Sequence, residues 1–179
     1  MTSQQREFRQ AMAQLAAAVT IVTTNGEAGP YGLTMSAVCS VSDEPPTLLI
    51  CVNRQSGANA VIRANGRFCV NVLREEAAEI ATLFATHGVD TNDRFSEGHW
   101  EEAPGGSPVL GDAAASFECT VTQTLEAGTH SIFIGTVEAL RTAAAPGALV
   151  YHRRAFHDLP AEDPNAADVP RDWEIFGYD

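Results

Sequence analysis

The sequence predicts a mainly β protein, an antiparallel barrel with a few helices. Its apolar residues fall mostly in short runs that alternate or are β-branched, which is typical of strands. The gaps between many of these runs are short enough for hairpins. No G-x-G-x-x-G follows a predicted strand, so a parallel dinucleotide-binding sheet is not indicated. Together these observations favour an antiparallel barrel over a sheet of alternating strands and helices.

The elements of the first half follow from periodicity. Residues 7–17 repeat apolar side chains at helical spacing and predict a helix. Its apolar face consists of Phe8, Met12, Leu15 and Ala16. The β-branched run 19–24 predicts a strand, and a turn then leads to its hairpin partner over 33–41. Two prolines within 43–46 are expected to break the ladder, because proline has no N–H to donate. The apolar run 47–52 predicts the next strand.

The second half alternates further strands with two helices. Ser56 is a candidate N-cap for a helix over 56–65. A second helix is predicted over 75–86, because acidic residues suit its first turn. Residues 88–111 read as a long polar loop, which in a compact domain is usually a functional lid or a linker. The remaining alternating runs predict strands over 67–73, 116–125, 131–139 and 148–151.

Composition limits the functions that are open to this chain. A length of 179 residues suits one domain, which we place at 1–158 with an acidic tail over 159–179. The net charge of −12 argues against nucleic acid and anionic membranes as partners. All eleven basic residues are arginine, so lysine Schiff-base chemistry and a Walker A loop are excluded. Four cysteines without C-x-x-C spacing read as reduced thiols, no metal site is predicted, and no signal peptide or membrane span is seen, so we expect a cytoplasmic protein.

Two stretches suggest a ligand that combines a flat ring with a phosphate. Thr34, Ser36 and Ser40 would share one face of the predicted strand 33–41, where small side chains let a ring lie flat. Alternatively, these three hydroxyls could form the solvated polar face of an edge strand, with no ligand on it. The polar turn from Asn53 to Ser56 opens a helix whose N-terminus could hold a phosphate, although Ser56 could equally be only a cap. A flavin nucleotide fits this pairing best.

Other candidates stand in turns and loops. His130 lies between two predicted strands and is either a solvated turn residue or a hydrogen-bond donor beside a nicotinamide or a flavin edge. Phe95, next to a possible Asp93–Arg94 ion pair, could be a mobile aromatic that closes over a ring. Arg153, near Tyr151, forms with the next arginine either an anion site or a partner for nearby carboxylates.

The chain resembles the short-chain flavin reductase family, the reductase components of two-component flavin-dependent monooxygenases, over roughly residues 8–158. The motifs that carry the resemblance are Phe8-Arg9-x-Ala11-Met12, Val19 to Thr24, Gly32-Leu33-Thr34-x-Ser36-Ala37, Ser40-Val41-Ser42, Pro45-Pro46, Cys51-Val52-Asn53-x-x-Ser56, Phe68-x-Val70-Asn71-Val72-Leu73, Asp93-Arg94-Phe95 and Gly128-x-His130-x-Ile132-Phe133-Ile134-Gly135. The chain departs from the family at Thr129, where an acidic residue often precedes the histidine.

The resemblance implies an FMN-binding split β-barrel of Greek-key antiparallel strands, normally a homodimer with flavin near the interface. It implies an NAD(P)H:flavin oxidoreductase that uses NADH or NADPH, with FMN or FAD, and supplies reduced flavin to a partner monooxygenase. By the same resemblance His130, Tyr151 and Arg153 would contact the nicotinamide nucleotide. The implied flavin-binding residues are Thr34, Met35, Ser36, Ala37, Ser40, Cys51, Val52, Asn53, Ser56 and Asn59.

Two other functions stay open at this point. A flavoenzyme of the same fold could keep its flavin and act on its own organic substrate. A protein of this fold could also bind flavin or haem without catalysis.

Overall fold

A computed structural model describes residues 1–144 and 147–161. Its helices are α1 (Ser3–Met12), α2 (Gly57–Asn65), α3 (Ala78–Ala85) and α4 (Thr91–Ser96). Its strands are β1 (Ala17–Ala18), β2 (Thr20–Thr24), β3 (Tyr31–Met35), β4 (Val38–Asp43), β5 (Pro46–Asn53), β6 (Arg67–Val72), β7 (Trp100–Glu102), β8 (Pro108–Leu110), β9 (Ala115–Ala127), β10 (His130–Thr142), β11 (Ala148–His152) and β12 (Ala155–Leu159). Within the described ranges, no helix is both long and apolar enough to cross a bilayer.

Seven strands form one antiparallel sheet in the order β3-β2-β6-β9-β10-β5-β4. Its two edge strands, β3 and β4, are consecutive in the chain and are joined only by Ser36 and Ala37. Three Cα steps span at most about 11 Å, so the edges must lie near each other and the sheet must curl. The mainly β, antiparallel class expected from the sequence is confirmed. Smaller sheets are formed by β1-β11-β12 and by β7-β8.

The core lies on both faces of this sheet. Strand β2 is buried along its whole length, because Val22 packs into one apolar cluster and Ile21 into another. The first cluster is enclosed by the curled sheet and α2, and contains Ile50, Val52, Phe68 and Phe133. The second lies under α3 and the small sheet of β11, and contains Val19, Leu73, Phe84 and Leu149. Both faces being apolar explains why β2 reads as a β-branched run rather than a strict alternation.

The first helix begins and ends earlier than the predicted 7–17. Thr2 caps it, since its hydroxyl accepts from the Gln5 N–H while the Gln5 side chain accepts from the Thr2 N–H. None of its residues is buried, and Phe8 stays 65% exposed, as does Leu15 just after the helix, at 61%. The apolar face of α1 is therefore not covered by the described part of the chain.

The predicted strand 33–41 is wrong as a single element. It divides into β3 and β4, and the chain leaves the ladder at Ser36 and Ala37. Thr34, Ser36 and Ser40 therefore do not share one strand face. The Thr34 hydroxyl donates to the Ala81 carbonyl of α3 at 2.7 Å, so it joins the sheet to a helix.

The region 88–111 is not one long loop, since it contains α4, β7 and β8. Arg94 is buried and donates to backbone carbonyls of Gly32, Phe84, Thr86 and Val89. No described carboxylate lies within 4 Å of it, so the suggested ion pair with Asp93 is wrong. Periodicity missed these elements because each is short and is held by tertiary contacts.

Several boundaries also differ from prediction. Helix α3 begins at Ala78 rather than at 75, and Glu76 before it has a φ of +66°. Prolines did not break the ladder at 43–46, because Asp43 pairs with Pro46 across a two-residue turn. Strand β12 was not predicted, and it includes Leu159, the first residue of the predicted tail. Residues 162–179 of that tail lie outside the described residues.

Candidate functional site

The break between β3 and β4 opens the candidate site. Ser36 and Ala37 are small and exposed there, and the Cys51 N–H donates to the Ala37 carbonyl at 3.0 Å. These two residues line a groove of about 680 Å³, within the range usual for small-molecule sites. Tyr151 of β11 lines the same groove. The structure therefore brings together three residues that were predicted from distant stretches of the chain.

Strand alternation decides which residues of β5 face the site. Ile50 and Val52 are buried in the core, so Cys51 and Asn53 point to the outer face of the sheet. His130 pairs directly with Asn53 across β5 and β10, and directly opposed residues share one face. Cys51, Asn53 and His130 therefore form a continuous outer row that begins beside Ala37.

The turn after β5 ends this row at the start of α2. The Asn53 side chain accepts from the Gln55 N–H at 2.9 Å, which fixes the turn. Ser56 occupies the N-cap position as predicted, but its hydroxyl makes no capping hydrogen bond. The first N–H groups of α2 have no intrahelical acceptor. A free hydroxyl beside free N–H groups is what a phosphate could use.

His130 is exposed at the start of β10. Its Nδ1 lies 2.9 Å from the Thr129 hydroxyl, which leaves Nε2 as the outward nitrogen. The Arg54 N–H donates to the Thr129 carbonyl at 2.9 Å, so the turn after β5 and the turn before β10 are joined. The histidine is thus held beside the Asn53 turn.

Charged residues support the hairpin that carries His130. Glu126 accepts from Arg63 at 2.7 Å and from the Ser131 hydroxyl, and Arg54 lies 3.7 Å away. Desolvation opposes the ionised form of Glu126, but the hydrogen bonds from Ser131 and Arg63 and the two arginine charges outweigh it and lower the pKa of this carboxyl. The network keeps the β9–β10 turn close to α2.

Some predicted site residues have structural contacts instead. The Val52 side chain belongs to the core, and its carbonyl accepts from the Asn59 side chain at 3.1 Å. Asn59 is buried and ties α2 to the end of β5. Met35 packs against the first core cluster, and its carbonyl accepts from Thr20. Val52 and Met35 therefore offer the site backbone atoms at most, and Asn59 positions the strand end.

Phe95 does not stand free to close over a ring. Its ring packs edge-on against Phe84 and Trp100, with centroids 5.3 Å and 4.9 Å apart. A Cβ on Gly32 would lie 3.2 Å from the Phe95 ring, so this aromatic cluster sits on β3. Ser40 is exposed on β4, opposite Leu48 and away from the row that contains Cys51.

The hairpin between β11 and β12 carries Arg153 and Arg154 in its two-residue turn. Both have left-handed backbone, with φ of +49° and +65°. Such turns favour Asn-Gly, and each L side chain there costs about 1–2 kcal/mol. The Arg153 N–H donates to the Ala13 carbonyl at 2.9 Å, and its Nε donates to Gln14 at 3.0 Å, so the turn is fixed to the end of α1.

Sequence reasoning missed the contribution of α1 to the groove. Arg6, Arg9, Met12 and Leu15 line it together with Arg154. The sequence carried only part of a signal, because the predicted helix over 7–17 contains Arg9 but not Arg6; the observed α1 contains both, three residues apart and on one face. What could not be predicted was that this face would meet the β3–β4 break.

The cysteines add no redox or metal centre within the described residues. All four are free, and no cluster of three potential metal ligands was found there. Burial raises the pKa of Cys69 and of Cys119 to about 12, and the nearby Glu118 charge adds to the shift. Desolvation and then the neighbouring Cys39 raise the pKa of Cys51. At neutral pH the buried thiols of Cys69 and Cys119 are therefore protonated and unreactive.

Comparison with known families gives a match to the flavin reductase like domain over residues 12–160. This chain is a member of the flavin reductase family. It is 45% identical over 155 residues to an FMN reductase (NADH) RutF of Variovorax paradoxus, covering 87% of this chain and 86% of the relative. It is 46% identical over 156 residues to the reductase component of 4-hydroxyphenylacetate 3-monooxygenase of Pseudomonas aeruginosa, covering 87% and 92% of the two chains.

Solved structures agree with this assignment. The flavin reductase fold seen here superimposes on the NADH:FAD oxidoreductase SgcE6 of Streptomyces globisporus, solved in complex with NAD and FAD fragments, with a TM-score of 0.83. The two chains are 29% identical, and the match covers 91% of this chain and 95% of SgcE6. The family and the flavin reductase function expected from the sequence are confirmed. The roles of individual site residues stay predictions.

Proposed function

We propose that this flavin reductase transfers a hydride from NADH to FMN, and that its site is the outer row from Ser36 and Ala37 through Cys51 to Ser56. The observation that carries the proposal is that the Ser56 hydroxyl makes no capping hydrogen bond. It occupies an N-cap position without capping its helix, at the end of a row of small or polar residues. A ring can lie at one end of this row and a phosphate at the other. The named FMN reductase (NADH) relative supports the choice of NADH and FMN.

The residues present fit such a ligand. Ser36 and Ala37 leave room for a flat ring at the β3–β4 break, and their backbone N–H groups can stabilise negative charge there. Asn53 and Cys51 lie beside the middle of the ligand. Ser56 and the N-terminus of α2 face its phosphate. NADPH as donor and FAD as acceptor are the alternatives, and the SgcE6 relative acts with FAD.

The protein's own part in the reaction is to bind and orient. Hydride transfer is chemistry that the two nucleotides supply between themselves, so no protein acid or base is required. The chain must hold the reacting atoms at about 3–3.5 Å. We assign to His130 a hydrogen bond from Nε2 to the nicotinamide nucleotide, and to Tyr151 one wall of the groove. The one-sided, open row leaves the opposite face of the ring accessible.

Release of the reduced flavin is the next part of the proposal. Ser36, Ala37 and Tyr151 line the groove and are exposed, so we expect flavin to leave after reduction and to reach a partner monooxygenase by diffusion. The relative named as a monooxygenase reductase component supports this. A cytoplasmic location also belongs to the proposal, because four free cysteines suit a reducing compartment.

A second copy of this chain is the proposed cover for the exposed apolar surface. The apolar face of α1 is open, and Leu125 on β9 is 45% exposed. Ile132 and Ile134 are only half-buried on the outer face of β10. Sedimentation at micromolar concentration should therefore show twice the 19.1 kDa chain mass. A monomer at that concentration would contradict the proposed homodimer.

The function is tested by NADH oxidation with added flavin. Turnover should rise and saturate with free FMN, and purified protein should lose its flavin on gel filtration. A tightly held flavin without dependence on added FMN would indicate a flavoenzyme with its own organic substrate. The absence of any NADH or NADPH oxidation would leave a flavin or haem binder without catalysis.

Ser56→Ala tests the orientation of flavin in the row. The variant should raise the KM for FMN about tenfold while leaving the KM for riboflavin within twofold, since only FMN carries a phosphate. Riboflavin serves as the matched control on the same variant. An equal rise for both flavins would mean that Ser56 supports the turn and does not contact the phosphate.

A further inference from the structure

The groove beside α1 collects positive charge in an acidic protein. The chain has 23 acidic and 11 basic residues, yet among the described residues three arginines and no carboxylate line this groove. The arginines are Arg6, Arg9 and Arg154. A smaller hollow of about 430 Å³ shares residues with it and is lined by Gln10, Ala13, Gln14, Arg153 and Arg154, with no carboxylate from residues 1–144 or 147–161. This surface therefore attracts an anion, against the overall charge of the chain.

These arginines are not committed to partners within the described residues. The side chains of Arg9 and Arg154 have no hydrogen bond or ion pair there, and Arg6 donates only to the Met1 carbonyl at 3.2 Å. Guanidinium groups whose donors are not already used can offer planar pairs of N–H donors to phosphate oxygens. The arginines that do have carboxylate partners lie elsewhere and are Arg54, Arg63, Arg74 and Arg141.

The arginines are held in place from two sides. Arg6 and Arg9 project from α1, and Arg154 projects from the β11–β12 turn that Arg153 fixes to the end of α1. The left-handed backbone of this turn would suit Asn-Gly better than two arginines. Because this backbone disfavours arginine, the presence of arginine at both positions points to a role outside the turn itself.

The position of the cluster separates it from the flavin phosphate. In the proposed function the flavin phosphate lies at Ser56, beyond Asn53 on β5. The arginines line the groove at the other end of the row, with Ser36, Ala37 and Tyr151. A phosphate at this end therefore belongs to a second ligand whose ring meets the flavin ring at the β3–β4 break.

We propose that Arg6, Arg9 and Arg154 bind the pyrophosphate of the nicotinamide dinucleotide. This inference rests on the proposed function, because it uses the flavin orientation given there. It assigns a dinucleotide subsite to α1 and to the β11–β12 turn. It also explains why an exposed helix with no buried residue carries two arginines on one face.

The experiment compares two hydride donors that share a nicotinamide ring. NADH carries the pyrophosphate, and reduced nicotinamide riboside does not. In the double variant Arg9→Ala, Arg154→Asn, the KM for NADH should rise about 100-fold, roughly tenfold for each charged hydrogen-bonding group removed. The KM for the riboside and both kcat values should stay within twofold. Asparagine is used at 154 because it tolerates left-handed backbone.

Two controls keep the result interpretable. Arg74→Ala removes an exposed arginine that pairs with Asp112 outside the groove, and should leave the KM for NADH unchanged. The variant Arg9→Lys, Arg154→Lys keeps the charge and should recover part of the NADH affinity. Equal rises in KM for NADH and the riboside, or no rise for either, would overturn the proposal.

A binding measurement separates this inference from the proposed function. ADP-ribose carries the pyrophosphate without a reactive ring, and calorimetry should show that it binds the wild type and that the double variant loses about 100-fold in affinity. Binding should also weaken as salt rises. If the wild type failed to oxidise NADH, the proposed function would fail, whereas undiminished ADP-ribose binding by the double variant would overturn only the pyrophosphate site.

Discussion

Arg94 is expected to be a main support of the region that the sequence suggested as a lid. Arg94 is only 7% exposed, and its guanidinium donates to four backbone carbonyls on β3, in and just after α3, and in the segment before α4. The bond to Thr86 is 2.6 Å long, and those to Gly32 and Val89 are both 3.4 Å. The bond to Phe84 is the other short one. The Arg94 guanidinium is thus a buried charged group whose hydrogen-bond acceptors are all backbone carbonyls.

The loss of stability expected on removing Arg94 follows from its two short hydrogen bonds, to Phe84 and Thr86. Removing a partner from a buried polar group costs about 1–3 kcal/mol, so Arg94→Ala should lower the free energy of unfolding by about 2–6 kcal/mol. That is a large part of the 5–15 kcal/mol typical of a domain. Arg94→Lys should recover only part of the loss, because one ammonium cannot bridge carbonyls of three segments.

Urea denaturation, followed by far-UV circular dichroism, measures the free energy of unfolding of the Arg94 variants. The control is Arg74→Ala, an exposed arginine 3.6 Å from Asp112, for which a loss below about 1 kcal/mol is expected. The reasoning is refuted if Arg94→Ala loses no more stability than this control. Because Arg94 also holds Gly32 on β3, a folded Arg94→Lys protein should bind FMN more weakly, through movement of the β3–β4 break.

Three further outcomes are expected. His130→Ala should raise the KM for NADH more than the KM for FMN in steady-state assays, and an unchanged NADH constant would remove His130 from the site. Folding lowers the pKa of Glu126 from 4.5, so the ionised carboxylate stabilises the fold above pH 4.5, and this stabilisation is lost as the pH falls through the lower folded pKa. The difference in unfolding free energy between the wild type and Glu126→Gln should therefore shrink in acid. A difference that does not change with pH would contradict the lowered pKa. Exposed Cys39 should react quickly with a thiol reagent at pH 8, whereas Cys69 and Cys119, with pKa values of about 12, should react only on unfolding; rapid labelling of more than two thiols would be inconsistent with their burial.

Local patterns predicted the elements whose burial is regular. Strand β6 and helix α2 were placed within one or two residues, because side-chain alternation and helical spacing report burial on one face or two. The same patterns failed at 33–41, where uncharged residues continue through a break in the ladder. They also failed at 88–111, where α4 and β8 are held by Arg94 and Asn71 rather than by their own periodicity.

The candidate site was predicted residue by residue but not as an arrangement. Cys51, Asn53 and His130 were chosen from motifs, and the antiparallel register then placed them in one row. Val52 was chosen with them, although alternation in a buried strand turns its side chain into the core. The arginines of α1 were not chosen, because a helix face that looks solvated in sequence gives no sign of what lies opposite it.

The sequence alone determined that this protein is an antiparallel β domain of the flavin reductase family, because strand periodicity and short motifs are properties of neighbouring residues. The tertiary structure decided where the sheet opens, which thiols and hydroxyls remain available, and that α1 meets Ser36, Ala37 and Tyr151 in one groove. Those features depend on contacts between residues more than 100 positions apart, such as the one between Ala13 and Arg153. Such contacts arise only when the whole chain has packed.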